Sequence, residues 1–160
     1  METQKITPFL WFDTQAEEAA RFYTSVFKDS KLVAITRYPD GAPGGRAGSV
    51  MTASFELNGL QFTALNGGPE FTFSLATSFV VHCQTQEEVD YYWEKLSAGG
   101  EESQCGWLKD KFGLSWQIVP DPMIEMYASG DPEKSRRMMQ VMLTMRKLDI
   151  VALKRAYEGS

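Results

Sequence analysis

The chain has 160 residues and a net charge of −5, from 16 lysines and arginines against 21 aspartates and glutamates. A chain of that length buries roughly 70% of its unfolded surface, and 43% hydrophobic with 23% charged residues is a globular composition. The acidic balance excludes a basic field for nucleic acid or an anionic membrane, and the single histidine, His82, excludes zinc sites built on two or three histidines.

Cys83 and Cys105 cannot build a disulfide framework, and with His82 their spacings match no zinc finger or ribbon. METQKITPFL lacks the basic region, apolar run and cleavage site of a secretion signal. No apolar stretch reaches the ~18 residues of a membrane span. A cytoplasmic protein is expected.

In chain order, Ile6–Phe12 reads as a short apolar strand, and Thr14-x-x-Glu17 as a capping box opening a helix. Ala19, Phe22, Tyr23 and Val26 follow at helical spacing. Lys31–Tyr38 and Ser49–Leu57 read as strands, and Asn58-Gly59 as a hairpin turn into a return strand, Leu60–Leu65. Between them, Tyr38–Gly48 is the longest flexible run. Its glycines match no phosphate-binding motif, so it is either a mobile lid carrying Arg46 to an anionic ligand or a solvated loop.

A similar order then recurs. Ser78–Cys83 reads as a strand, Thr85-x-x-Glu88 as a second capping box, and Val89, Tyr92, Trp93 and Leu96 as the helical stripe, ended by Gly99-Gly100. Short strands follow around Glu102–Cys105 and Trp107–Lys109, then a turn at Asp110–Gly113 and a last strand, Leu114–Val119. Phe9, Ala19, Phe22, Tyr23 and Val26 pair with Phe79, Val89, Tyr92, Trp93 and Leu96 at an offset of 70, and Gly59–Leu65 pairs with Gly113–Val119 at 54. Two βαβββ modules are the simplest reading: about 5–66 and about 77–119 within a single domain of residues 1–160. After Pro120 a helical tail of about 120–160 is expected. Asp131-Pro132 starts one helix, Met138, Met139, Met142, Leu143, Met145 and Leu148 supply its apolar positions, and Asp149–Tyr157 forms another. The tail is read as helical packing or a dimer contact.

The stretches PFLWFDTQAEEAARFY, TQEEVDYYWEKLSAGGEESQCGWLKDKFGLSWQIVP and MMQVMLTMRKLDIVALKRAYEG resemble the PhnB-like family. That family is a branch of the vicinal-oxygen-chelate (glyoxalase/bleomycin-resistance) superfamily, often labelled 3-demethylubiquinone 3-methyltransferase-like. The resemblance implies an α+β fold with two βαβββ modules whose sheets pair around a cavity, commonly in a homodimer. It also implies a divalent metal held by His, Glu or Gln from the first and last strand of each module.

The matching positions are Thr7 or Pro8, Thr77 or Ser78, Thr63 and Gln117, of which only Gln117 is an ordinary ligand. A neutral quartet leaves a divalent charge uncompensated, so no metal and no cofactor are expected. His82 falls opposite Phe12 in the repeat, past the ligand position, and is read as a packed, hydrogen-bonded strand residue. No G-x-G follows the opening strand, so the methyltransferase label lacks its usual cofactor turn.

Alternation directs Leu60, Phe62, Ala64, Leu114, Trp116 and Ile118 to the helices, and Gln61, Thr63, Leu65, Ser115, Gln117 and Val119 to the cavity. The candidate ligand-binding residues are Gln117, Thr63, Ser115, Gln61, Trp107, Cys105 and Trp11, with Cys105 the one candidate nucleophile and structural packing its alternative. Three functions are carried forward. The first is a metal-free binder of an unidentified small organic molecule. The second is a lyase, dioxygenase-like or thiol-dependent enzyme. The third is a dimeric interaction module with a vestigial cavity.

Overall fold

The computed structural model describes residues 4–43 and 45–160, so Gly44 of the flexible run and the first three residues of the leading segment lie outside the described residues. The chain divides between Phe73 and Ser74 into two compact units. Among the described residues no helix is long and apolar enough to cross a membrane.

The first unit comprises β1 (Phe9–Phe12), α1 (Ala16–Val26), β2 (Lys31–Arg37), β3 (Val50–Leu57) and β4 (Leu60–Asn66). Its sheet runs β1-β4-β3-β2, with β1 parallel to β4 and the other pairs antiparallel. The hairpin turn forms as the sequence requires: Asn58 and Gly59 both have positive φ, +48° and +86°. Helix α1 buries Ala16, Ala19, Ala20, Tyr23 and Val26 against β3 and β4. The core is an aromatic stack in which Tyr23 lies over Phe55 at 5.9 Å and Phe55 over Phe62 at 5.3 Å.

Two local expectations fail here for tertiary reasons. Strand β1 begins at Phe9 because Ile6 is left in solvent. Thr14 does not cap α1: the helix starts after Gln15, with no side-chain cap, and the Ala16 N–H is donated to Asn66 Oδ1 at 2.8 Å. Asn66 also donates from Nδ2 to Val50 O, and its carbonyl accepts the Tyr38 hydroxyl at 2.5 Å. One side chain from the end of β4 therefore ties the starts of α1 and β3 together.

The second unit comprises β5 (Ser78–Cys83), α2 (Gln86–Ser97), β6 (Glu101–Glu102), β7 (Trp107–Lys109) and β8 (Ser115–Pro120), in the order β5-β8-β7-β6. Here the threonine cap forms, with Thr85 Oγ1 accepting from Glu88 N, while Glu88 accepts from the N–H of Gln84, one residue before the cap. Strand β6 stops at Glu102, and Cys105 lies in a turn with φ +59°.

The tail folds as α3 (Asp121–Ala128), α4 (Pro132–Met142) and α5 (Ile150–Glu158). Asp131 and Asp149 cap α4 and α5 through the Lys134 and Ala152 N–H groups. Helix α4 is shorter than the methionine pattern suggests. It ends at Met142, and Met145 and Leu148 lie in the connection to α5. Beyond the helix, Met145 O and Arg146 O accept the Cys105 and Gly106 N–H groups, at 2.9 and 2.8 Å. Met123, Met138, Leu148, Leu153 and Tyr157 close a core around Val119.

Candidate functional site

In each sheet one face is covered by its helix, and the other carries both exposed and buried side chains. Register places Phe9, Trp11, Thr63 and Leu65 on the face of the first sheet away from α1, with Leu10, Phe62 and Ala64 beneath α1. In the second sheet Leu108, Trp116 and Ile118 lie beneath α2, and Ser78, Val80, His82, Trp107, Lys109, Ser115, Gln117 and Val119 share the face away from α2, where Ser115 and Val119 are buried. Most of the expected alternation therefore holds. Leu60 departs from it, at 43% exposed beside the hairpin turn. Val119 departs too, because the tail covers it and removes it from any ligand-lining role.

Strand register also corrects the repeat. Phe9 faces Thr63 and Val80 faces Gln117, so Phe9 corresponds to Val80 at an offset of 71, not to Phe79 at 70. The helices keep 70: Ala19, Tyr23 and Val26 match Val89, Trp93 and Leu96, all buried. The strand-to-helix connection is thus one residue shorter in the second unit. A one-residue slip turns every strand side chain to the other face. Phe9 is 59% exposed, whereas Phe79 packs its ring 5.7 Å from buried Trp116. Of the alternatives, register selects Thr7 and Ser78 as the equivalent first-strand positions.

Those positions can now be tested with Thr63 and Gln117. Gln117 Nε2 donates to Ser78 Oγ at 3.0 Å, so this pair is already joined by a hydrogen bond. Thr63 is half-buried and its N–H is donated to Pro8 O. Hydroxyls and amides carry no charge to offset a divalent ion, and this donor set does not fit a divalent metal. No group of three His, Cys, Asp or Glu stands in metal-holding proximity among the described residues.

Of the other expected residues, Trp107 and Ser115 share the face of Gln117, and the rest stand apart from it. Trp107 is half-buried and faces Gln117 across β7 and β8. Ser115 is fully enclosed, and its hydroxyl has no hydrogen-bond partner among the described residues. Gln61 is exposed, its main chain bonded twice to the Gln4 side chain. Trp11 is held rigidly: its Nε1 donates to Gly68 O at 2.9 Å, its ring meets Phe71 edge-on, and Gly67 leaves no room for a Cβ beneath it. His82 corresponds to Trp11 rather than Phe12 at the corrected offset. It is not packed; it is 59% exposed, with Nδ1 3.0 Å from Asp121 Oδ1.

Arg46 and Asp13 both line a cleft of about 470 Å³ in the first unit, bounded also by Tyr38, Ser49 and Asn66. This places the flexible run beside a cleft whose lining includes both a carboxylate and the arginine.

The two thiols differ. Cys83 is buried, and burial first, with Glu88 and Asp121 adding to it, pushes its pKa from 9.0 to about 12. Cys105 is half-buried in its turn, and no hydrogen bond joins it to His82. Burial, and then nearby Cys105, raises the Tyr127 phenol. Among the described residues no side-chain base is hydrogen-bonded to Cys105 in the arrangement a thiol nucleophile requires. Iodoacetamide at neutral pH is expected to label Cys105 at an ordinary slow rate and Cys83 only after denaturation, as read by peptide mass mapping. Fast labelling of Cys105 would restore it as a nucleophile. Because only the unfolded chain ionises Cys83 between pH 9 and about 12, this thiol's contribution to stability falls across that window.

The sequence pattern missed the role of Asp110, a turn residue by its neighbours. It is 2% exposed and accepts from Phe112 N, Leu114 N and Trp116 Nε1, at 2.9, 3.0 and 2.9 Å. The Asp-x-x-Gly spacing carries that signal, since an aspartate bonding the main chain two residues on is ordinary turn chemistry.

The family model for 3-demethylubiquinone-9 3-methyltransferase matches residues 4–119. None of the curated proteins matches the chain. Among solved structures, a PhnB protein from Bacillus cereus is 42% identical, with a TM-score of 0.67, covering 73% of this chain and 99% of its own. A protein from Pseudomonas aeruginosa (19% identity, TM-score 0.61) covers 74% of this chain and 98% of its own. The fosfomycin resistance protein FosX from Mesorhizobium loti (14%, 0.52) covers 74% of this chain and 91% of its own. The last two likenesses are of fold alone. The family match ends at Val119, so α3, α4 and α5 lie beyond it.

Proposed function

The chain belongs to the 3-demethylubiquinone-9 3-methyltransferase (PhnB-like) family of the glyoxalase/bleomycin-resistance, vicinal-oxygen-chelate superfamily, and from that premise we propose that it binds a small organic ligand on a sheet face away from its helix without a catalytic metal. The observation that carries this reading is the Gln117–Ser78 hydrogen bond at 3.0 Å. Two positions that hold metal ligands in the superfamily's metalloenzymes instead hold a neutral, mutually bonded pair. The face around them suits an organic molecule: Trp107 and Val80 offer apolar surface, and Ser78 and Gln117 offer hydrogen bonds that fix orientation.

Methyl transfer, the activity in the family's description, finds no support in these residues. Asp13-Thr14-Gln15 links β1 to α1 without the glycines of a cofactor-binding turn, and each sheet is a four-stranded mixed sheet rather than a doubly wound one.

Native mass spectrometry of the protein purified from its own host tests the reading. The expected spectrum shows chains carrying a retained organic compound that denaturation releases. Bare chains, together with no compound in the host extract that raises Tm, would remove it.

A further inference from the structure

We propose that the face of the second sheet away from α2 holds a small oxyanion, the carboxylate or phosphate group of a ligand, at Lys109, Gln117 and Ser78 with Ser115 behind them. The proposal rests on the ligand-binding reading above and adds the chemical class of the ligand.

The starting point is the Ser115 hydroxyl, sealed from solvent with no partner. Buried hydroxyls are ordinarily satisfied, because an unpaired one loses its water without replacement. Register places Ser115 between Ser78 on β5 and Lys109 on β7. Directly opposed side chains of an antiparallel pair have Cβ atoms about 4.5–5.5 Å apart. Lys109 is half-buried and has no ion-pair partner among the described residues. Glu101 stands opposite it on β6, on the side away from Ser115, and no ion pair joins the two.

Two residues along β8, Gln117 gives one amide hydrogen to Ser78 and keeps the other. The Ser78 hydroxyl proton is then itself free to donate. Register therefore sets four donor groups on neighbouring positions of one face: the Lys109 ammonium, the Ser115 and Ser78 hydroxyls, and the Gln117 amide. A donor-rich site with one cation is oxyanion chemistry. Lys109, Gln117 and Ser78 are half-buried and meet the anion first; Ser115 lies behind them. Trp107, opposite Gln117, provides the wall for the rest of the ligand. The remaining ionisable pair on the face, His82 with Asp121, sits at the far end of β5, about 13 Å from Ser78 along the strand.

The test uses phosphate and acetate as probes, with Tm and tryptophan fluorescence as readouts. Both anions are expected to stabilise the wild-type protein and change its emission, and Trp107→Phe should remove the emission change. Lys109→Gln should weaken the response about tenfold or more, the scale of one hydrogen bond to a charged group. Ser115→Ala should raise the Tm of the anion-free protein by about 2–4 °C while weakening the anion response. Removing a satisfied buried hydroxyl would instead lower Tm. An unchanged response in Lys109→Gln, or a lower anion-free Tm in Ser115→Ala, would overturn the proposal. If neither anion acts but a neutral compound is retained from the host, the anion class falls and ligand binding stands. If nothing binds, both fall.

Discussion

Replacing Asp110 by alanine is expected to lower folding stability by about 3–5 kcal/mol, the cost of leaving several buried donors unpaired. The carboxylate gathers two main-chain N–H groups of its own turn and the indole N–H of Trp116. Trp116 is a core residue beneath α2, so this one side chain links the β7–β8 turn to the packing of the sheet. Alanine would remove the acceptor from three N–H groups, those of Leu114 and the Trp116 indole buried and that of Phe112 half-buried. Asparagine keeps one acceptor oxygen but turns its amide hydrogens toward the same donors, and should lose roughly half as much. Urea unfolding measures both. A loss below about 1 kcal/mol for Asp110→Ala would mean that the turn does not depend on its aspartate.

Leu148→Ala carries the second large effect, about 2–5 kcal/mol. Leu148 is fully buried although it lies outside any helix. Its side chain packs where a Cβ on Gly106 would stand only 3.0 Å from Leu148 Cδ1, and its carbonyl accepts from Gln86 Nε2 at the start of α2. Gln86 Oε1 accepts in turn from Ile150 N at 2.8 Å, and Lys147 pairs with Asp90 at 2.9 Å. The Lys147 and Gln86 hydrogen bonds hold the Asp90 carboxyl below the usual carboxylate range. The tail is thus bonded to α2, to the turn before β7 and to the end of β8. It behaves as part of the second unit's core, although the family match stops before it. Unfolding should remain a single transition with a lowered midpoint. A separate early transition for the tail, or a change under about 0.5 kcal/mol, would show an independent appendage.

The contrast between these elements explains what the sequence made legible. Asn58-Gly59, Thr85, Asp131-Pro132 and Asp149 act within a few residues, and each forms the turn or cap its chemistry demands. The start of α1 fails the same test because its N–H is satisfied by Asn66, 50 residues away. Helix α4 stops short of its apolar pattern because the chain beyond it is drawn out to accept the Cys105 and Gly106 N–H groups. The candidate site shows the same division. Side-chain alternation placed Thr63, Gln117 and Trp116 on their observed faces, but the one-residue difference between the strand and helix offsets is visible only in strand pairing. That difference decides that Ser78 is the partner of Gln117, and that His82 stands exposed beside Asp121. The burial of Val119 depended on helices no pattern could dock.

On the proposed reading, Thr7 and Thr63 in the first unit and Ser78 and Gln117 in the second do not serve a metal. Elemental analysis of the protein from its own host, followed by titration with manganese, nickel and zinc, tests this most directly. Far less than one equivalent of any divalent metal per chain is expected, with no saturable binding dependent on Gln117. One tightly held equivalent per chain, lost in Gln117→Ala, would contradict it.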